Sequence, residues 1–262
     1  MAAGLIYPFF IALTFVIALR AAGLGRMAGM ALPLALFFVQ KLTTFVWLPP
    51  PGPPDFRAFY LALAGGALGT ALDSGRAGAV VRHCAVTFWP FVVVAVVAGQ
   101  RLSIARAEDP LLLVALCAAG VVVLLRLDRA RGRDADAPLM LAASCGFASI
   151  VSLAWGITTT VSPFAAVGAA CLAFAMLSFG RMPRPFTLAA VLAGGGAWLG
   201  LMVTIVLHAA LPRVSFLLLL LPFAADLVWR RPAAGPLRWL RAGAIGVLAG
   251  LSGLAAVFNT LS

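Results

Sequence analysis

The chain has 262 residues, of which 63% are hydrophobic and only 10% charged, with a mean hydropathy of +1.09. That charge is too sparse to cover a soluble protein of this length, and the composition is that of a polytopic membrane protein. The formal net charge of +11 does not mark a nucleic-acid binder, because the arginines stand between apolar runs of spanning length and not on one basic face.

Taking a span as roughly 17–25 mostly apolar residues, the sequence predicts ten helices. They run over 4–19, 27–48, 57–72, 79–99, 110–125, 138–158, 162–180, 186–209, 214–229 and 240–260. The first has no basic residue ahead of its apolar run and no clear small-residue cleavage site, so it reads as a retained helix. Between the second and third lies WLPPPGPPDF, a rigid, proline-rich connector. The third is softened by Gly65, Gly66 and Gly69. After the fifth comes the most polar stretch of the chain, LLRLDRARGRDAD. It carries Arg126, Arg129, Arg131 and Arg133 with Asp128, Asp134 and Asp136, and cannot lie in hydrocarbon. The sixth connection, TTTVSP, is uncharged, and Gly194, Gly195 and Gly196 interrupt the eighth helix, where they permit close helix packing.

The arginines alternate from one connection to the next. Fourteen fall in the odd-numbered connections, helix ends included, and four (Arg57, Arg101, Arg106, Arg213) in the even ones. By the positive-inside rule the odd connections are cytoplasmic. The predicted fold class is therefore all-α, a polytopic integral membrane bundle of about ten transmembrane helices with both termini outside. It forms a single transmembrane domain over 1–262 in the inner (cytoplasmic) membrane, with no soluble domain. Five helices on each side of the central loop would suit an inverted repeat, a common transporter plan, although the halves show no self-similarity.

Few residues can carry chemistry. Cys84, Cys117, Cys145 and Cys171 form no CxxC pair and read as small packing residues. Lys41 lies about seven residues inside the second helix, beside Gln40. It either serves a function at depth or snorkels to the head groups. His208 ends the eighth helix as an interfacial histidine or a proton relay, and His83 reads as a head-group contact. Asp226 is one turn from Arg230, which makes an intrahelical pair the plain reading; its place after Pro222 leaves a site role open. The phosphate-loop, zinc-protease and serine-hydrolase signatures are absent, as is DDxxD.

The stretches at the cytoplasmic helix ends supply one resemblance. GALGTALDSGRAGAVVR is similar to a G-x-x-D-D motif followed by a basic stretch, with Asp73 at the second aspartate, Leu72 where the first should be, and Arg82 downstream. DRARG over 128–132 resembles D-G-x-D-G, keeping Asp128 but placing Arg131 at the second aspartate. MPRPF resembles P-A-R-I-F through Arg184, and LAGGGAWLG resembles G-D-x-G-S-x-x-L-G with Ala193 in place of the aspartate. In these stretches the chain resembles the polyprenyl-phosphate sugar-1-phosphate transferases. The resemblance implies transfer of a sugar phosphate from a nucleotide-sugar to a lipid phosphate. Asp73 and Asp128 would be catalytic and hold Mg2+, and Arg82 and Arg184 would bind phosphates. Two other classes stay open. One is a transporter or flippase for a small or lipid-linked substrate, with Lys41, Gln40 and Asp226 lining its path. The other is a non-catalytic membrane scaffold that holds lipids or partner subunits.

Overall fold

The computed structural model describes residues 2–44, 54–75, 78–102, 109–131, 135–179, 186–208 and 213–224, with short helical pieces between 243 and 258. Among these residues every regular element is a helix. In chain order they are α1 (Ala2–Ala21), a 3-10 turn (Gly25–Met30), α2 (Ala31–Thr44), α3 (Pro54–Ser74), α4 (Ala79–Leu102), α5 (Asp109–Ala130), α6 (Asp136–Ala154), α7 (Thr158–Phe179), α8 (Leu188–His208), α9 (Arg213–Leu220) and a second 3-10 turn (Leu221–Ala224). The first eight helices follow the predicted spans in order. The ninth shortens to two turns before the 3-10 turn at Pro222, and most of the tenth lies outside the described residues.

Two helix ends have a clear local cause. Gly23 (φ 75) and Gly156 (φ 70) adopt the left-handed conformation that other residues resist. At the first, Leu24 N–H bonds Leu19 C=O (2.7 Å) and Gly23 N–H bonds Arg20 C=O (2.9 Å). At the second, Ile157 N–H bonds Ser152 C=O (2.8 Å) and Gly156 N–H bonds Leu153 C=O (3.0 Å). Both are Schellman caps, which satisfy terminal carbonyls and stop the helix. The second explains why α6 ends at Ala154, short of the predicted 158.

Helices α4 to α8 are long and apolar enough to cross a membrane. Their burial differs sharply: only 33% of the spanning windows of α4 and α5 is buried, against 100% for α8. On α4 and α5 large apolar side chains such as Phe88 (65% exposed) and Leu111 (78% exposed) point away from the bundle. Water would oppose so much exposed apolar surface, whereas hydrocarbon favours it. The molecule is thus a helical membrane bundle with α8 at its centre.

Small residues let α8 sit there. Gly65 and Gly69, four apart on one face of α3, lie against the α8 backbone. A Cβ on Gly69 would stand 2.4 Å from Ala189 Cα, and one on Gly65 2.6 Å from the Leu192 carbonyl oxygen. Gly29 in the first 3-10 turn meets the same helix, its Cβ position 2.3 Å from Ala190 N. The three glycines of α8 receive side chains: Leu141 at Gly194, Leu124 at Gly195 and the Trp89 indole at Gly196. Without a hydrophobic drive between helices in lipid, such close approach is what brings dispersion contacts into play. Polar links add direction. Trp89 Nε1 donates to Leu192 C=O (3.1 Å), and Trp198 Nε1 donates to Ser144 Oγ (2.9 Å), which donates in turn to Leu219 C=O (2.9 Å).

Candidate functional site

The glycine seam between α3 and α8 determines where Asp73 lies. Gly65, Gly69 and Asp73 are spaced by four, so they share one face of α3. The face that meets α8 through its glycines therefore delivers Asp73 to the α8 N-terminus. There Asp73 Oδ2 accepts a hydrogen bond from Leu188 N–H at 3.0 Å. The first N–H groups of any helix lack intrahelical acceptors. Asp73 supplies one from another helix, and its charge suits the positive end of the α8 dipole. Thr187, the residue placed to cap α8 itself, keeps its Oγ1 buried with no hydrogen-bond partner.

The other Asp73 oxygen faces Arg131, with NH1 to Oδ1 at 3.8 Å. Arg131 also pairs with Asp128, three residues back along the chain, through Nε to Oδ1 at 2.8 Å. That second pair is close in distance but not aligned as a hydrogen bond, since Asp128 Oδ1 is buried without one. A single guanidinium thus spans two carboxylates at the C-terminal ends of α3 and α5. Helix C-termini disfavour negative charge, and Arg131 offsets it at both.

These groups line a cavity of about 700 Å3 at one end of the bundle. Its walls include Arg20 and Arg26 from the first connection, Asp73 and Arg82 from either side of the third, Asp128, Arg129 and Arg131 from the fifth, and Thr187 from the end of the seventh. Among the described residues, the first, third, fifth and seventh connections therefore meet at one place. Five arginines face two aspartates, so the cavity is strongly electropositive. Arg26 NH1 donates to Ser74 C=O at 3.4 Å. Arg82 Nε is buried and has no hydrogen-bond partner. An adjoining cavity of about 550 Å3 shares Arg82, Asp128 and Arg131 and adds His83 and Cys84.

Asp73, Asp128 and Arg82 are thus brought together. Lys41 is not. It lies partly buried in the last turn of α2, while the first turn of α2 adjoins the 3-10 turn at the cavity. Ten residues of helix separate the two ends, roughly 15 Å at 1.5 Å per residue. Gln40 beside it is buried. Arg184 and Asp226 fall outside the described residues. His208 closes α8 at the end away from Asp73. Cys145 and Cys171 are buried as expected, but Cys84 is exposed, and all four cysteines are free.

The sequence reading overlooked Arg131 as the bridging group and Arg20 and Arg26 as cavity walls. The signal for the last two was present in the arginine alternation, which groups all odd connections on one side. The bridge had a weaker signal, the i, i+3 spacing of Asp128 and Arg131 on one helix end.

The residues do not fit a magnesium ion. One oxygen of Asp73 is committed to Leu188 N–H and the other faces Arg131, which also holds Asp128. A divalent cation at this point would face a fixed guanidinium and four further arginines, which raise its energy as surely as two carboxylates lower it. Among the described residues no three His, Cys, Asp or Glu side chains gather where a metal could be held. What the arrangement does suit is an anion rich in acceptor oxygens, because guanidinium groups match phosphate geometry and bind it without a metal. Comparison with known proteins finds no family model, no curated protein and no solved structure that matches the chain.

Proposed function

We propose that the chain crosses the cytoplasmic membrane about ten times, with both termini outside, and binds a phosphate-bearing ligand in the arginine-lined cavity on the cytoplasmic side. One observation carries this reading: five arginines converge on a cavity whose wall holds a buried Arg82 Nε and a buried Thr187 hydroxyl, both without hydrogen-bond partners. Buried polar groups are normally satisfied, and an unsatisfied donor costs about 1–3 kcal/mol. A phosphate oxygen would satisfy both and neutralise the excess charge. The sidedness rests on the fourteen-to-four division of arginines.

A second reading, sugar-phosphate transfer from a nucleotide-sugar to a lipid phosphate, gains from one fact. Three of the residues that the family resemblance assigns to the site, Asp73, Asp128 and Arg82, line the same cavity. In that case the arginines stabilise the transferring phosphoryl oxygens, the role that a metal plays elsewhere. Transport would draw on Lys41 in the last turn of α2 and on Gln40 beside it, away from this cavity.

The test is binding of radiolabelled inorganic phosphate and pyrophosphate to purified protein in nanodiscs, alongside Arg82→Gln. Saturable binding that Arg82→Gln weakens at least tenfold is the expected result. Binding that is absent, or unchanged in Arg82→Gln, overturns the assignment. Turnover of a UDP-sugar in the presence of undecaprenyl phosphate would select the second reading over simple binding.

A further inference from the structure

Two cavities meet at one wall. The arginine cavity of about 700 Å3 and the adjoining one of about 550 Å3 have Arg82, Asp128 and Arg131 in common, so these three side chains form the partition between them. Beyond the partition, Val80, His83 and Cys84 of the first turns of α4 line the smaller cavity, and all three are exposed. That cavity therefore opens beside α4. The backbone of Arg131 is fixed, because its N–H bonds Leu127 C=O (2.8 Å) and extends the ladder of α5. Its side chain is the part of the wall that can turn.

Carboxylates hold the guanidinium in that partition, and they hold it poorly. A guanidinium grips a carboxylate or phosphate best through two parallel, aligned hydrogen bonds. Arg131 has no such grip on either aspartate. Its Nε stands 2.8 Å from Asp128 Oδ1, which is buried without an aligned hydrogen bond. Its NH1 stands 3.8 Å from Asp73 Oδ1, beyond hydrogen-bond reach. The two carboxylates thus occupy the cation without using its fork. Asp73 is tied down as well, since its other oxygen accepts from Leu188 N–H. Asp128, in the last turn of α5, stands where helix geometry disfavours a negative charge.

Resting on the phosphate-binding reading above, we infer that Asp128 is an internal competitor of the ligand: its carboxylate holds Arg131 across the partition until a phosphate takes the guanidinium over, and that exchange joins the two chambers. A phosphate carries enough acceptor oxygens to give the fork two aligned bonds, the arrangement neither aspartate provides. Asp128, whose side chain is a quarter exposed, is then hydrated from the chamber beside α4. The family resemblance implies the opposite for this residue. There Asp128 is a metal ligand that the reaction needs, whereas here the loss of its charge improves binding.

The test is the Kd of radiolabelled inorganic phosphate for protein in nanodiscs, measured for wild type and Asp128→Asn, each alone and combined with Arg82→Gln or Arg131→Gln. Asp128→Asn should tighten binding by about two- to fivefold, the range of a partly exposed ion pair. The gain should persist with Arg82→Gln and vanish with Arg131→Gln, because only Arg131 is the contested group. An equal gain with and without Arg131 marks the through-space effect of one negative charge and overturns the competition. Weaker binding in Asp128→Asn overturns it too. A nitroxide on Cys84, with Cys117, Cys145 and Cys171 replaced by alanine, reads the partition itself. Phosphate should change its spectrum in wild type, and Asp128→Asn should show that change before phosphate is added. A spectrum that both leave unchanged overturns the joining of the chambers. Should phosphate binding to Arg131→Gln fall below detection, the nitroxide decides alone. Should thermal unfolding show Asp128→Asn to be unfolded, Asp128→Ser takes its place. Absence of phosphate binding from wild type and every variant removes the reading on which the inference rests.

Discussion

Asp73 admits two accounts that a pair of substitutions separates. If its work is to cap α8, the carbonyl oxygen of an asparagine can still accept from Leu188 N–H, whereas alanine cannot. Loss of a helix N-cap costs about 0.5–2 kcal/mol, and an N–H left unsatisfied in a partly buried site costs about 1–3 kcal/mol. The two figures describe the same loss, so Asp73→Ala should destabilise by about 2 kcal/mol. The Arg131 contact adds little, because its 3.8 Å separation and side-chain exposures of 25% and 15% leave it in the range of about 1 kcal/mol or less. Asp73→Asn should then cost about 1 kcal/mol or less, since it gives up the charge but keeps the acceptor. At about 2–4 °C per kcal/mol for a chain of this size, alanine lowers the unfolding temperature by about 4–8 °C and asparagine by about half as much or less. Thermal unfolding in a mild detergent, followed by tryptophan fluorescence, reads both values. Equal losses for asparagine and alanine, or no loss for alanine, would refute the capping argument. An asparagine variant that unfolds normally yet loses activity or phosphate binding would return the carboxylate charge to the centre of the chemistry.

Two further outcomes follow from the same framework. Gly69→Ala should destabilise by about 1–3 kcal/mol or more, because its Cβ meets helix backbone at 2.4 Å and no rotamer can relieve it. Gly99→Ala on α4, with nothing within 4 Å, should be neutral or slightly stabilising through helix propensity; coincident unfolding of the two variants would contradict the α3–α8 seam. In intact cells, with the native cysteines removed, single cysteines placed over 124–136 should resist a membrane-impermeant thiol reagent while those over 50–54 label, and the opposite pattern would reverse the proposed sidedness.

Much of the fold was legible because lipid leaves few options. A spanning segment must be helical to satisfy its own backbone, so hydropathy alone located the five helices long and apolar enough to span, α4 to α8. The arginine alternation foretold which connections share an end, and Arg20, Arg26, Arg82, Arg129 and Arg131 do meet in one cavity. The role of Asp73 was beyond such reading. Its partner, Leu188 N–H, is 115 residues away, and nothing local announces that a helix will be capped from elsewhere. A clue did exist in the spacing of Gly65, Gly69 and Asp73, which puts two close-approach positions and a carboxylate on one stripe. Read as softening, those glycines concealed the contact. Arg131 was placed at a missing aspartate by the motif comparison, whereas physically it is the cation that makes two neighbouring carboxylates tolerable.

The enclosure of α8 has a consequence for how the chain is made. Helices enter the bilayer in order, so α3 is inserted four helices before the element it is shaped to receive. Until α8 arrives, the Gly65–Gly69 stripe has only lipid beside it, and Asp73 has no backbone N–H to accept from. Seven helices, α1 to α7, therefore precede their centre, and the bundle locks only when residues near Leu188 leave the ribosome. The eighth span acts as a late keystone: a chain arrested before it would be inserted but not assembled, and its most conspicuous gap would be the seam along α3.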